Sequence, residues 1–170
     1  MNRQFHEFKL LGDGKCSYPA ANFGGVTFGT RYGDISSNLP DSNITLKEFF
    51  CACKKCDVVR VNMDLIWAIE ELREMFGNPR VDVICGYRCD AYNAYVGGEY
   101  DSYHLYGMAA DVVIGSVDPY KVYKVAEEMR RDNNMYKALF GGVVLHDGYI
   151  HLDVRNDGMD RLLRKDARSE

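Results

Sequence analysis

No stretch of this 170-residue chain approaches the ~20 consecutive apolar residues that a membrane-spanning helix needs, so insertion into a bilayer is not expected. The segment Met1 to Leu11 also lacks the apolar core of roughly 7–15 residues that marks a secretory leader. If the target lies outside the cytoplasm, another route must deliver the protein. A large excess of one sign of charge is missing as well: a net charge of -4 gives no general electrostatic reason to bind nucleic acid. The basic stretch Arg161 to Arg168 is interrupted by Leu162, Leu163 and Asp166, and is expected to end a solvated helix. There is no internal repeat and no low-complexity block. With 46% hydrophobic and 27% charged residues the composition is that of an ordinary globular protein, and the length suits one domain.

Residues 12–43 carry Gly, Ser, Asn and Pro at high density, as in Asn22-Phe23-Gly24-Gly25, and predict loops with one short strand near Val26-Thr27-Phe28. Asn43 or Thr45 can cap a short helix from Leu46 through Phe49 and Phe50. From Asn62 the apolar residues Leu65, Ile66, Ile69, Leu72 and Phe76 recur at three- and four-residue steps, with Gly77 and Pro79 as the stop. Val81 to Ile84 alternates like a strand, Ala109 to Ile114 reads as a buried strand, and Asp118-Pro119 opens a second helix with Val122, Val125, Ala126 and Met129 on one face. Val143 to Leu145 and Tyr149 to Val154 are strand-like runs around the turn sequence His146-Asp147-Gly148, which suggests a hairpin. The order of elements predicts an α+β domain with a small antiparallel sheet packed with helices.

Two of the four histidines keep unusual company. In Ser102-Tyr103-His104-Leu105-Tyr106-Gly107-Met108-Ala109-Ala110-Asp111, a Gly-containing turn and the start of a strand separate an imidazole from a carboxylate, which lets both return to one point. In His151-Leu152-Asp153 the strand period places His151 and Asp153 on one face and Leu152 on the other. A catalytic zinc site commonly takes three protein ligands and keeps a fourth position open, and His104, Asp111 and His151 satisfy that count. The plain alternative is a hydrogen-bonded histidine and an aspartate that serves a turn. Spacing alone does not decide between them.

The run Cys85-Gly86-Tyr87-Arg88-Cys89, then Asn93, Val96-Gly97-Gly98, Ser102 to Asp111, Gly141-Gly142-Val143 and Tyr149 to Arg155 resembles the zinc D-Ala-D-Ala metallopeptidase family. That family includes D-Ala-D-Ala carboxypeptidases, murein endopeptidases and phage endolysins, with the hedgehog signalling domain as a distant relative. The resemblance covers roughly Thr45 to Arg155. It implies a hedgehog-like zinc peptidase domain at 43–170, with residues 1–42 as a loop-rich extension packed on it. It also implies one catalytic Zn2+ held by His104, Asp111 and His151, peptidoglycan stem peptides as the partner, and an enzyme that stays in the host cytoplasm until it is released to the wall. Arg88 matches an arginine that anchors the substrate, which suits a planar fork able to hold a carboxylate or carbonyl. Ser102 matches a serine near the substrate pocket, or else caps the turn before His104.

The general base is where the chain departs from the pattern. The position two before His151 is Tyr149, which does not accept a proton in the same way at neutral pH. Asp147 is the first substitute, with a turn role as its alternative, and Asp153 the second, with the orientation of a ligand imidazole as its alternative. His146 is the third. Without a base, the resemblance fits a zinc-containing binding module that has lost turnover, or a virion structural component.

Cys51, Cys53 and Cys56 place three thiols within six residues, and Cys89 follows the Gly-Tyr-Arg run. Members of the family often carry cysteines in these two regions, which suggests that the regions meet. A second, structural zinc, a disulfide such as Cys51 to Cys89, and unlinked thiols are all open. Cys85 stands where relatives usually have Ser and reads as a small buried hydrophobe, and Cys16 has no evident partner.

Overall fold

Asn62 is where the chain passes from strand to helix. In the computed structural model, which describes residues 5–10, 16–17, 42–56, 58–132, 136, 139–155 and 161–164, strand β3 (Val58–Asn62) runs directly into helix α1 (Met63–Glu74). The Asn62 Oδ1 accepts the Asp64 N–H at 2.8 Å, satisfying one of the orphan donors of the first turn. Leu65, Ile66, Ile69 and Leu72 are all at most 2% exposed, so the predicted apolar stripe faces the core. Burying each such side chain is worth about 1.5–3 kcal/mol. Phe76 lies one step beyond the helix, where Gly77 turns the chain at φ +77°.

The main sheet has the order β4-β5-β7-β6-β8, formed by β4 (Val81–Cys85), β5 (Ala109–Ile114), β6 (Gly142–His146), β7 (Tyr149–Asp153) and β8 (Arg161–Arg164). The first four strands are antiparallel to their neighbours, which with the helices gives the expected α+β fold. The expected hairpin joins β6 to β7, pairing His146 with Tyr149 across Asp147 and Gly148, the latter at φ +84°. Residues 161–164, expected at the end of a helix, instead form a strand parallel to β6. The open edge of β6 offers unpaired N–H and C=O groups, and a segment as short as Arg161-Leu162-Leu163-Arg164 takes its conformation from that edge.

Helix α2 (Asp90–Tyr95) was not anticipated; α3 (Pro119–Asp132) matches the expected helix and buries Val122, Ala126 and Met129. The Asp118 Oδ1 accepts the Tyr120 N–H at 2.9 Å and starts α3. Two short 3-10 helices, Leu46–Phe49 and Tyr103–Tyr106, complete the described helices. In the first, the Glu48 carboxylate accepts from the Thr45 N–H at 3.0 Å and from its hydroxyl at 2.9 Å.

A second sheet pairs β3 with β1 (Phe5–Leu10), which also pairs with β2 (Cys16–Ser17). Cys16 and Ser17 fall where loops were expected, and the short strand expected at Val26 to Phe28 lies outside the described residues. Among the described residues no helix is long and apolar enough to cross a membrane.

Candidate metal centre

Strand register lines up three of the polar residues. Cys85 on β4 pairs with Asp111 on β5, and Asp111 pairs with His151 on β7, so the three stand side by side across the sheet. Leu152, one residue on, is fully buried on the opposite face. His104 arrives from the Tyr103–Tyr106 helix, which Gly107 ends in a left-handed conformation at φ +65° before the chain enters β5. A Cβ at Gly107 would lie 2.1 Å from the Arg60 carbonyl oxygen, so both conformation and space require glycine there.

The donor atoms converge. His104 Nε2 lies 3.3 Å from His151 Nδ1 and 3.4 Å from Asp111 Oδ1, and His151 Nδ1 lies 2.9 Å from the same oxygen. Ligand atoms at about 2.0–2.1 Å from a tetrahedral zinc ion sit about 3.3–3.4 Å apart. Two edges of the triangle match that figure, and the third is a hydrogen-bond length.

The groups behind the triangle fix which nitrogen faces it. His104 Nδ1 donates to the Gly86 carbonyl at 2.7 Å, so the neutral ring carries its lone pair on Nε2. His151 turns Nε2 toward Asp153 Oδ2 at 3.4 Å and so presents Nδ1. Metal-bound imidazoles commonly have a carbonyl or carboxylate in this position. Two imidazoles and a carboxylate, oriented in this way and nearly excluded from solvent, fit a zinc ion.

Arg88 Nη2 pairs with the second oxygen of Asp111 at 3.0 Å, and its Nε donates to Cys85 Sγ at 3.0 Å. Cys85 Sγ also shares a potential metal-binding cluster with His104 and Asp111. Read from sequence as a buried hydrophobe, Cys85 is only half-buried and belongs to the polar centre. Its place in the row was hidden because the strand carries a register shift between Val83 and Cys85 that simple alternation does not announce.

Asp153 is fully buried behind His151. Arg155 holds it through Nε at 2.7 Å, through Nη2 and through its own N–H at 3.1 Å. A Cβ at Gly142 would come within 2.5 Å of Asp153 Oδ2, so this glycine makes room for the carboxylate. Asp147 is exposed on the β6–β7 turn, and His146 stacks on Tyr149 with ring centroids 4.6 Å apart. Tyr149 is half-buried; burial and then the charge of Asp111 raise its pKa, so it stays protonated at neutral pH. The Ser102 side chain makes no capping hydrogen bond, although its carbonyl accepts from the Leu105 N–H at 3.0 Å. Cys51, Cys53, Cys56 and Cys89 form a second cluster, with all four sulfurs within 4.8 Å of one another.

A family model described as Peptidase M15 matches residues 42–153. The chain belongs to the Peptidase M15 family. M15 peptidases are zinc-dependent metallopeptidases, and the M15 match spans every donor of the triangle and all four clustered cysteines. No curated protein matches the chain significantly.

Charge balance at the M15 centre sets a pH dependence with opposite signs for the two metal states. Burial opposes protonation of His104, but Asp111 and Cys85 outweigh it and raise its pKa from 6.5 to about 9. Burial likewise opposes the charge of Asp111 and Asp153, but the facing imidazoles, joined at Asp153 by Arg155, hold both carboxyls below 3.8. In chelator-treated protein the carboxylates therefore stabilise the fold above 3.8 and lose that effect in acid. His104 contributes fully below 6.5 and loses its contribution as the pH climbs through about 9. The melting temperature of the chelated protein should accordingly fall on both sides of the interval between 3.8 and 6.5. Zinc needs imidazoles without their protons, so its affinity should rise with pH over the range in which the chelated protein weakens. A zinc titration showing no gain from pH 6.5 toward 9 would contradict this.

Proposed function

We propose that this chain is a zinc-dependent peptidase of bacterial peptidoglycan, cutting stem peptides or their cross-links as a D-Ala-D-Ala carboxypeptidase or murein endopeptidase of the phage lysis type. The observation that carries the reading is the triangle of His104, Asp111 and His151 donors, two of its three edges at the tetrahedral spacing and each imidazole backed by a carbonyl or carboxylate. Zinc bound there would supply a Lewis acid for the scissile carbonyl and lower the pKa of a water molecule. Arg88 reaches this centre from one side and is suited to hold a substrate carboxylate or carbonyl, while its contact to Asp111 keeps the guanidinium in place. Tyr149, on the same face as His151, offers a hydroxyl that donates but does not take up a proton at neutral pH.

Proton transfer falls to Asp147, since Asp153 is fully buried and already bound by Arg155. Asp147→Ala should leave zinc binding intact and lower turnover by about 10²–10⁴-fold, the usual contribution of a general base. Unchanged turnover would remove Asp147 from the mechanism. Mass spectrometry of defined muropeptides and a D-Ala-D-Ala-terminated peptide, incubated with zinc-loaded or chelated protein, tests the function itself. Zinc-dependent release of a terminal D-Ala indicates a carboxypeptidase, and cutting of cross-linked dimers an endopeptidase.

The second reading is a zinc-containing binding module without turnover, and Tyr149 at the position where relatives carry a base favours it. Failure of zinc-loaded protein to cleave any of these substrates would establish that reading over the first.

A further inference from the structure

We propose that Cys51, Cys53, Cys56 and Cys89 bind a second zinc ion as four thiolates, a structural site that clamps the segment after Phe49 to the loop carrying Gly86 and Arg88. The sulfurs are arranged for it. Cys51 and Cys89 are 3.7 Å apart, Cys53 and Cys89 3.8 Å, and Cys53 and Cys56 3.2 Å. With Zn–S bonds of about 2.3 Å, the sulfurs of a tetrahedral site are about 3.8 Å apart; the two distances to Cys89 match that spacing, and the Cys53–Cys56 pair is closer. All four cysteines are free of disulfide bonds, and no His or carboxylate enters the cluster, leaving a purely soft donor set.

The backbone around the sulfurs supplies a second, independent observation. Lys54 adopts φ 57°, a left-handed conformation that costs a side-chain-bearing residue about 1 kcal/mol or more. It lies inside the Cys53-Lys54-Lys55-Cys56 turn, where that conformation folds the two cysteines toward each other. The Lys54 N–H donates to the Cys51 carbonyl at 3.1 Å, and the Lys55 N–H to Cys53 Sγ at 3.4 Å. Across the gap, the Cys89 N–H donates to Cys51 Sγ at 3.4 Å. Backbone donors aimed at sulfur favour thiolate over thiol. Four thiolates around Zn2+ leave a net charge of −2, and Lys54 and Lys55, exposed on the same turn, offset it. On binding, four thiols lose their protons to solvent and no electrons move.

The clamp reaches the catalytic centre in two steps. The Tyr87 N–H donates to the Phe49 carbonyl at 3.0 Å, and a Cβ at Gly86 would lie 2.6 Å from the Phe49 ring, so the two segments are in close contact beside the cysteines. The Gly86 carbonyl fixes His104, and Arg88 pairs with Asp111. The four cysteines therefore act as positioning residues.

Metal analysis and native mass spectrometry of zinc-equilibrated protein should find two zinc ions per chain. One should remain in Cys53→Ser/Cys56→Ser, and one in His104→Ala/His151→Ala. After cobalt exchange the histidine variant should show thiolate-to-cobalt charge transfer with the intensity of four sulfur ligands rather than one. Should the cysteine variant fail to fold, the histidine variant decides alone. A histidine variant that holds no metal, or alkylation and peptide mapping that find any two of the four cysteines disulfide-linked in the zinc-equilibrated protein, would overturn the proposal. Neither result depends on whether the protein cleaves peptidoglycan.

Discussion

Replacing His151 by alanine should abolish zinc binding at the triangle and reduce cleavage of muropeptides by at least on the order of 10³-fold. In the proposed centre three donors would hold the ion, and removing one would leave His104 and Asp111 as a pair too weak to retain it at micromolar concentrations. The Lewis acid would take several kcal/mol off the barrier, and each 1.36 kcal/mol is a factor of ten. His151 is 15% exposed in its side chain and Ile150 and Leu152 supply the packing of β7, so the variant should keep its circular dichroism spectrum. A folded His151→Ala protein that retains full turnover would refute the assignment of the centre.

Asp153→Asn should weaken zinc binding by roughly 10–100-fold, the usual effect of altering the partner behind a metal-bound imidazole. Asparagine keeps the shape of the side chain but withdraws the charge that faces His151 Nε2 and Arg155. The change separates two roles. A carboxylate that orients the imidazole predicts turnover largely restored at saturating zinc, whereas one that shuttles protons predicts normal zinc affinity with a low kcat. Isothermal titration and turnover measured across a zinc series distinguish the two, and the burial of Asp153 predicts the first.

Much of this arrangement was legible in the residues themselves. The stripe from Leu65 to Leu72, the alternation of Val81 to Ile84, the apolar run Ala109 to Ile114 and the Asp147-Gly148 turn each gave an element where the structure has one, because periodicity and turn chemistry are local properties. Elements that depend on a distant partner were not legible. Strands β1, β2 and β8 exist through edges offered by β3, β1 and β6 in turn, and the sequences Cys16-Ser17 and Arg161 to Arg164 carry no pattern of their own. At the centre, the ordered motifs named His104, Asp111 and His151; strand pairing joins the last two, and the short helix ended by Gly107 brings His104 to them. The place of Cys85 needed the register across β4 and β5, whereas the meeting of Cys89 with Cys51, 38 positions apart, was expected from the resemblance.

The row that joins β4, β5 and β7 also sets when the protein can take up its ion. Asp111 and His151 are 40 positions apart, so the full triangle exists only once β7 has paired with β5. The β6–β7 hairpin can close on its own in about 1–10 μs, but docking it against β5 must first close the much longer intervening loop. Metal capture then becomes a timestamp for the docking of this hairpin against β5, and zinc-quenched refolding kinetics would read that step directly.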